Sequence, residues 1–201
     1  MALVYYRHMG YVIGIDEAGR GPLAGPVAVG AVLISERFDK RFFRGIRDSK
    51  QLSADERELW FKLIIEAKKN GDLDYAVALV SERIIDRHGI THAIRLGIKR
   101  VLKSLNPEIF ETHIFLDGGL RAPIKYVHQT TVIKGDEKIP VVSLASIAAK
   151  VTRDRKMIRL AEKFPEYDFH IHKGYGTRKH KEALARYGTS SIHRQTFLKR
   201  I

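Results

Sequence analysis

Four acidic side chains stand beside glycine where the chain changes direction. Asp16-Glu17 closes the apolar run Val12-Ile13-Gly14-Ile15, Asp117 precedes Gly118-Gly119, and Asp136 follows Lys134-Gly135. Strand ends bordered by glycine expose side chains on a rigid frame, and folds with a central sheet place functional groups there. Most Asp-Gly pairs only turn the chain, so each residue alone says little. As a set they say more. Two carboxylates about 4 Å apart repel by roughly 4 kcal/mol at an effective dielectric of about 20. A cluster of four must raise its own pKa values or collect cations. The chain has 201 residues and no cysteine, so a metal would sit on oxygen or imidazole. Hard oxygen ligands select Mg²⁺ or Mn²⁺. Two such ions about 3.5–4 Å apart can hold the attacking and the leaving oxygen of a phosphoryl displacement. Spacing alone does not bring the four carboxylates together in space.

Asp16-Glu17 poses a geometric problem. Neighbours on a regular strand point to opposite faces, so both reach one metal only if the strand ends at Asp16 and the loop re-aims Glu17. Gly19 and Gly21 supply the backbone freedom for that turn. A rival acid, Asp154, falls inside a helical pattern.

The elements that position these residues follow from apolar periodicity. Strands are expected at Val12–Ile15 and Val27–Ile34, joined by a Gly/Pro loop as a hairpin at the edge of a mixed sheet. Ser53 and Glu56 form a capping box, opening a helix that stops at Asn70-Gly71. A third strand spans Asp74–Val80. Ser81 starts a short helix, Gly89 divides it from a longer one, and Asn106-Pro107 ends that one. Further strands are expected over His113–Leu116 and Tyr126–Ile133. A long helix runs from Ser143, with Leu144, Ile147, Val151, Ile158 and Ala161 inward and Lys150, Arg153, Arg155, Lys156 and Arg159 outward. A last helix covers about Lys179 to Tyr187. No repeat or linker interrupts the chain, so residues 1–201 read as one α/β domain, with about 165–201 a helical C-terminal part packed on it.

Lys and Arg number 36 against 23 Asp and Glu, a net charge of +13. That excess favours a polyanionic partner, because neutralising phosphates releases condensed counterions. The start of the chain has no apolar stretch of signal-peptide form, and the longest clean apolar run, Val27 to Ile34, is far short of a membrane span. A protein working in the cytoplasm, away from membranes, is expected.

Several blocks then resemble one family. Gly14-Ile-Asp-Glu-Ala-Gly-Arg-Gly-Pro22, running on to Val27, is similar to the opening signature of ribonuclease HII. The likeness continues through Asp48-Ser-Lys-Gln-Leu-Ser53, Leu116-Asp-Gly118, Lys134-Gly-Asp136 and Ala145 to Asp154, then His172-Lys-Gly-Tyr-Gly-Thr177 and Ile192-His-Arg-Gln-Thr-Phe197. The blocks keep the family's order and cover nearly the whole chain.

The resemblance implies a ribonuclease H-like fold, a mixed central sheet flanked by helices. It implies that Asp16, Glu17, Asp117 and Asp136 are the catalytic, metal-binding carboxylates, holding two Mn²⁺ or Mg²⁺ ions during catalysis. The spacing of the last two looks bacterial rather than archaeal. Gly19-Arg20-Gly21 matches the loop that reads the ribonucleotide through backbone contacts to its 2′-OH, and Tyr175 the tyrosine that packs on the adjoining sugar. Lys50, Lys150, Arg153 and Lys173 are candidate phosphate contacts, although any single basic residue is usually a solvated surface charge.

The implied substrates are RNA–DNA hybrids and ribonucleotides embedded in duplex DNA, cut to leave 3′-hydroxyl and 5′-phosphate ends. A monomer without an obligate protein partner is expected. There are departures: Gly89 stands where the family usually has Asn, so that cap is expected to be looser, and Thr189-Ser-Ser-Ile192 lacks the usual prolines. Ribonuclease HIII, with its extra N-terminal domain and no Gly-Arg-Gly of this form, is disfavoured. Two other classes stay open. A metal-dependent DNA nuclease of the same fold would cut all-DNA duplexes as well, and a non-catalytic nucleic-acid-binding module would bind without turnover.

Overall fold

The structure is a computed structural model, and it describes residues 10–46, 49 and 51–199. Five strands form one mixed sheet: β1 (Tyr11–Ala18), β2 (Val27–Ser35), β3 (Leu73–Val80), β4 (Thr112–Asp117) and β5 (Gln129–Val132), in the order β3-β2-β1-β4-β5. β1 pairs antiparallel with β2 and parallel with β4. The first two strands do form an antiparallel pair, but not at an edge as expected. β1 is the central strand, because the chain returns through a helix to lay β4 against its open side.

The helices follow their caps. α1 (Ala54–Lys69) opens on Ser53, whose side chain accepts from the Glu56 N–H while Glu56 reaches back, and it ends at Asn70. α2 (Glu82–His88) and α3 (Ile90–Leu105) are divided by Gly89 in a positive-φ conformation, and no side chain caps the start of α3. The remaining helices are α4 (Gly135–Lys138), α5 (Pro140–Ala161), α6 (Phe169–His172), α7 (Arg178–Tyr187) and α8 (Gln195–Leu198).

Strand alternation divides the core between the two faces of the sheet. Ile13, Ile15, Val29, Ala31, Ile114 and Leu116 pack with α2 and α3 on one face. Val32, Ile34 and Phe115 pack with α1 and α5 on the other. α5 lies directly on the β1–β2 backbone. A Cβ on Gly14 would sit 2.4 Å from the Val141 backbone, and one on Gly30 would sit 2.3 Å from the Ala145 carbonyl oxygen. Only residues without side chains permit that approach.

α5 begins three residues earlier than expected, at Pro140 in the first turn, where the missing N–H costs nothing. Its amphipathic reading needs correcting at two positions. Ile158, expected inward, is exposed, and Arg153, expected outward, is fully buried. The first half of the helix is enclosed on all sides, which a stripe pattern does not describe. No helix among the described residues is long and apolar enough to cross a membrane.

Candidate active site

The parallel pairing of β1 and β4 sets Ile15 opposite Leu116, so the next residues, Asp16 and Asp117, stand at the same level on neighbouring strands. Both have the parity of the α5 face, as do Gly14 and Phe115. Strand spacing puts two such residues roughly 5 Å apart between backbones. Asp16 is buried, its carboxylate accepts the Glu17 N–H at 2.7 Å, and the Ser146 hydroxyl of α5 bonds to it as well. A second hydroxyl, that of Ser49, lies 2.7 Å from the Ser146 hydroxyl. Burial first, then the charges of Glu17 and Asp117, push the Asp16 carboxyl well above the usual carboxylate range.

Glu17 reaches the same cleft differently from the way expected. β1 does not end at Asp16 but runs on to Ala18, with Glu17 opposite Val29 of β2. Glu17 therefore starts from the opposite parity. The Asp16 carboxylate bends towards the strand end to take the Glu17 N–H, and Glu17 Oε1 is held 3.1 Å from the Arg20 guanidinium. Burial raises the Glu17 carboxyl and Arg20 opposes that rise. The other oxygen, Oε2, is buried and has no hydrogen-bond partner among the described residues.

A cleft of about 230 Å³ is lined by Asp16, Glu17 and Asp117, by residues 18–21, and by Ser49, Ser146, Lys150 and Tyr175. Three of the four expected carboxylates are thus together, with Gly19, Arg20, Gly21, Lys150 and Tyr175. Asp136 is not among the lining residues. It is almost fully buried in α4, immediately after Gly135, whose N–H donates to Asp117 Oδ1 at 2.6 Å. Its main-chain carbonyl accepts from the Ser143 hydroxyl at 2.5 Å. Asp136 thus follows directly on the residue that fixes Asp117, and no three acidic or histidine side chains among the described residues stand in a closed metal-ligating arrangement.

The donor set nonetheless fits a hard divalent cation. Three acidic groups share one cleft, the charges of two of them raise the third, and one buried carboxylate oxygen has no partner among the described residues. A cation would remove all of these costs at once.

The basic candidates divide. Lys150 lines the cleft, pairs with Asp154 at 2.9 Å and lies 5.8 Å from the centre of the Tyr175 ring. Asp154 is thus the counter-ion of Lys150. Lys173 lines an adjoining cleft of about 400 Å³ that shares Lys150 and Tyr175 with the first, and its ammonium donates to the His170 carbonyl. Lys50 lies outside the described residues.

Arg153 requires a correction. It is fully enclosed, with Nε donating to the Pro26 carbonyl at 2.9 Å and Nη2 to the Ala24 carbonyl at 3.2 Å. A guanidinium held under the loop in this way meets no phosphate.

Three features escaped the sequence reading. Ser49 and Ser146 form a hydroxyl layer behind Asp16, and both fall in blocks that resemble the family. Arg194 is fully buried against the Gly-Arg-Gly loop. Three neutral histidines hold the Tyr175 turn. His172 Nδ1 accepts from the Gly174 N–H at 3.2 Å, which leaves Nε2 to donate to the Tyr167 carbonyl at 2.6 Å. His180 Nδ1 donates to the Tyr175 carbonyl at 2.9 Å, so its Nε2 must accept from His193 Nε2 at 3.0 Å. His193 Nδ1 then accepts from the Ser190 N–H at 2.9 Å. Each partner fixes the next tautomer.

Comparison with known proteins bears on this arrangement. The family model described as Ribonuclease HII matches residues 13–200. The chain is 42% identical over 191 residues to the ribonuclease HII of Caldicellulosiruptor bescii, covering 95% of this chain and 88% of that one. Among solved structures it is similar to the ribonuclease H2 of Pyrococcus horikoshii, with a TM-score of 0.72 and 31% identity over 94% of this chain and 96% of that one. It is also similar to the ribonuclease HII of Archaeoglobus fulgidus, solved in complex with PCNA, with a TM-score of 0.72 and 30% identity over 91% of this chain and 93% of that one.

Proposed function

The chain belongs to the ribonuclease HII family, and from that premise we propose that it cuts duplex nucleic acid on the 5′ side of ribonucleotides, both in RNA–DNA hybrids and at single ribonucleotides embedded in DNA. The observation that carries this reading is one cleft shared by Asp16, Glu17 and Asp117 with Gly19-Arg20-Gly21 and Tyr175. Phosphoryl chemistry and a group able to sense a ribose meet there.

Asp16, Glu17 and Asp117 would hold Mn²⁺ or Mg²⁺, with Asp136, next to the Gly135 N–H that fixes Asp117, completing the set. When bound, two divalent cations supply an activated water and neutralise the charge on the leaving 3′-oxygen. The chain's own residues do the rest. Ser146, backed by Ser49, fixes the Asp16 carboxylate, and the Gly135 N–H fixes that of Asp117. The Gly19–Gly21 loop approaches the sugar with backbone groups, and the 2′-OH is the local mark of RNA. Tyr175, 42% exposed, offers its ring to the neighbouring sugar, and Lys150 a charge to the backbone phosphate. The role this implies is ribonucleotide removal and clearance of primers or hybrids in the cytoplasm.

The test is a duplex carrying one ribonucleotide, incubated with Mg²⁺ or Mn²⁺ and either wild type or Asp16→Asn. Wild type should give 3′-hydroxyl and 5′-phosphate ends, and the variant should leave the duplex intact. Equal cleavage by both refutes the assignment. Equal cleavage of an all-DNA duplex by wild type would favour a DNA nuclease instead.

A further inference from the structure

Beneath the Gly19–Gly21 loop lie two guanidiniums, Arg153 and Arg194, both fully buried. Among the described residues neither has an ion-pair partner; both donate to main-chain carbonyls, and Arg153 Nη1 finds no acceptor there. Arg194 Nη2 donates to the Gly19 carbonyl at 2.7 Å, Nη1 to that of Arg20 at 3.0 Å and Nε to that of Gly25 at 2.9 Å. Arg153 packs so closely under Gly19 that a Cβ there would fall 1.9 Å from its Nε.

The arginine segment is itself anchored. Arg194 N–H donates to the Leu23 carbonyl at 2.7 Å, and the next two amides donate to the Asp86 carboxylate of α2 at 2.9 and 3.0 Å.

A trans peptide points its N–H opposite to its C=O, and the described chain has no cis bond. Drawing the Gly19 and Arg20 carbonyls inward therefore turns the next two N–H groups, those of Arg20 and Gly21, outward. Neither N–H has a protein acceptor among the described residues, and both residues are exposed and line the cleft beside Asp16 and Glu17.

We propose that Arg194 is a positioning residue for ribonucleotide recognition: its three-donor fork on the loop carbonyls fixes the Arg20 and Gly21 N–H groups as donors facing the ribose and its phosphate. This rests on the proposed function. Arg194 touches no substrate and acts through the peptide planes. The loop cannot flip either peptide plane without leaving a buried guanidinium donor unpaired.

Arg194→Lys keeps a positive charge but replaces the fork with a single ammonium. Three readouts are taken together: kcat/KM on a duplex with one ribonucleotide, equilibrium binding to the same duplex as all-DNA in metal-free buffer, and hydrogen exchange at the loop amides of the free protein. The proposal expects kcat/KM to fall roughly 10- to 100-fold while all-DNA affinity changes less than about twofold. Exchange at Arg20 and Gly21 should quicken. Unchanged cleavage overturns it, as does a loss of cleavage matched by an equal loss of all-DNA binding.

Were wild type to leave the ribonucleotide duplex uncut, the functional reading would fail on its own. Unaltered exchange at Arg20 and Gly21 in Arg194→Lys would overturn the present proposal independently. If that variant does not fold, wild type in EDTA decides. Protection of these two amides by the ribonucleotide duplex and not by the all-DNA duplex supports the assignment, and equal protection by both overturns it.

Discussion

Lowering the pH sets a proton against the histidine chain that holds the Tyr175 turn. His193 can accept the Ser190 N–H only while its Nδ1 is bare, and burial, aided by the nearby His180, pushes its pKa from the ordinary 6.5 down to about 4. The sign follows from linkage. Between those two values the unfolded chain binds a proton that the folded chain refuses, so stability is full above about 6.5 and falls as the pH drops towards 4. At 1.36 kcal/mol per pKa unit the full loss is about 3 kcal/mol, of which roughly 2 kcal/mol falls between about pH 7.5 and 5. His180 and His172, also lowered by burial, add to that loss in wild type.

Urea unfolding of wild type and His193→Gln at those two pH values isolates the residue. The variant should be less stable at the higher pH, since it breaks the chain, yet its stability should fall by about 2 kcal/mol less on acidification. Parallel pH profiles for the two proteins would show that His193 is not held neutral and would refute the tautomer assignment. Because the chain ends on the Tyr175 carbonyl, the loss of protection at pH 5 should begin in residues 172–180.

Three other outcomes follow from the site and its supports. Asp16→Asn in EDTA should melt higher than wild type, because a carboxyl whose folded pKa is raised destabilises the fold as pH climbs through that value; a lower melting point would argue against the crowding of charge described for the cleft. Gly30→Ala should cost about 1–3 kcal/mol by driving α5 off the sheet, and cleavage should fall with it, since α5 carries Ser146 and Lys150; calorimetry showing no change would mean the approach to Ala145 is looser than 2.3 Å. Lys150→Ala should weaken binding to hybrid and DNA duplexes alike and reduce the salt slope by about one unit, and a loss confined to ribonucleotide substrates would contradict its role at phosphate.

Much of this arrangement was legible in residue types. Ser53 with Glu56, Gly89 and Asn106 punctuate the helices as written, and apolar patterning marks three of the five strands to within a residue, while β1 runs three residues past its expected end. β5 is shorter than its pattern. The position of β1 was not legible, because strand order depends on which edge receives β4 after the intervening helices, a choice that local periodicity does not encode. Asp16 and Asp117 were recognisable as strand-end acids, but only the parallel register places them side by side. Asp136 shows the limit of spacing: its turn is as expected and its side chain is buried. Arg153 and Arg194 misled for one reason. Composition treats arginine as surface charge, whereas here the guanidiniums serve as buried donors to a glycine loop whose carbonyls have no strand or helix to bond them.

The central claim is that Asp16, Glu17 and Asp117 gather a divalent cation. Crystals soaked in Mn²⁺ and measured for anomalous scattering test it most directly. The arrangement predicts a peak about 2.1 Å from carboxylate oxygens of Asp16 and Asp117, with Glu17 Oε2 drawn towards the ion. A peak confined to other residues, or none at saturating Mn²⁺, would contradict it.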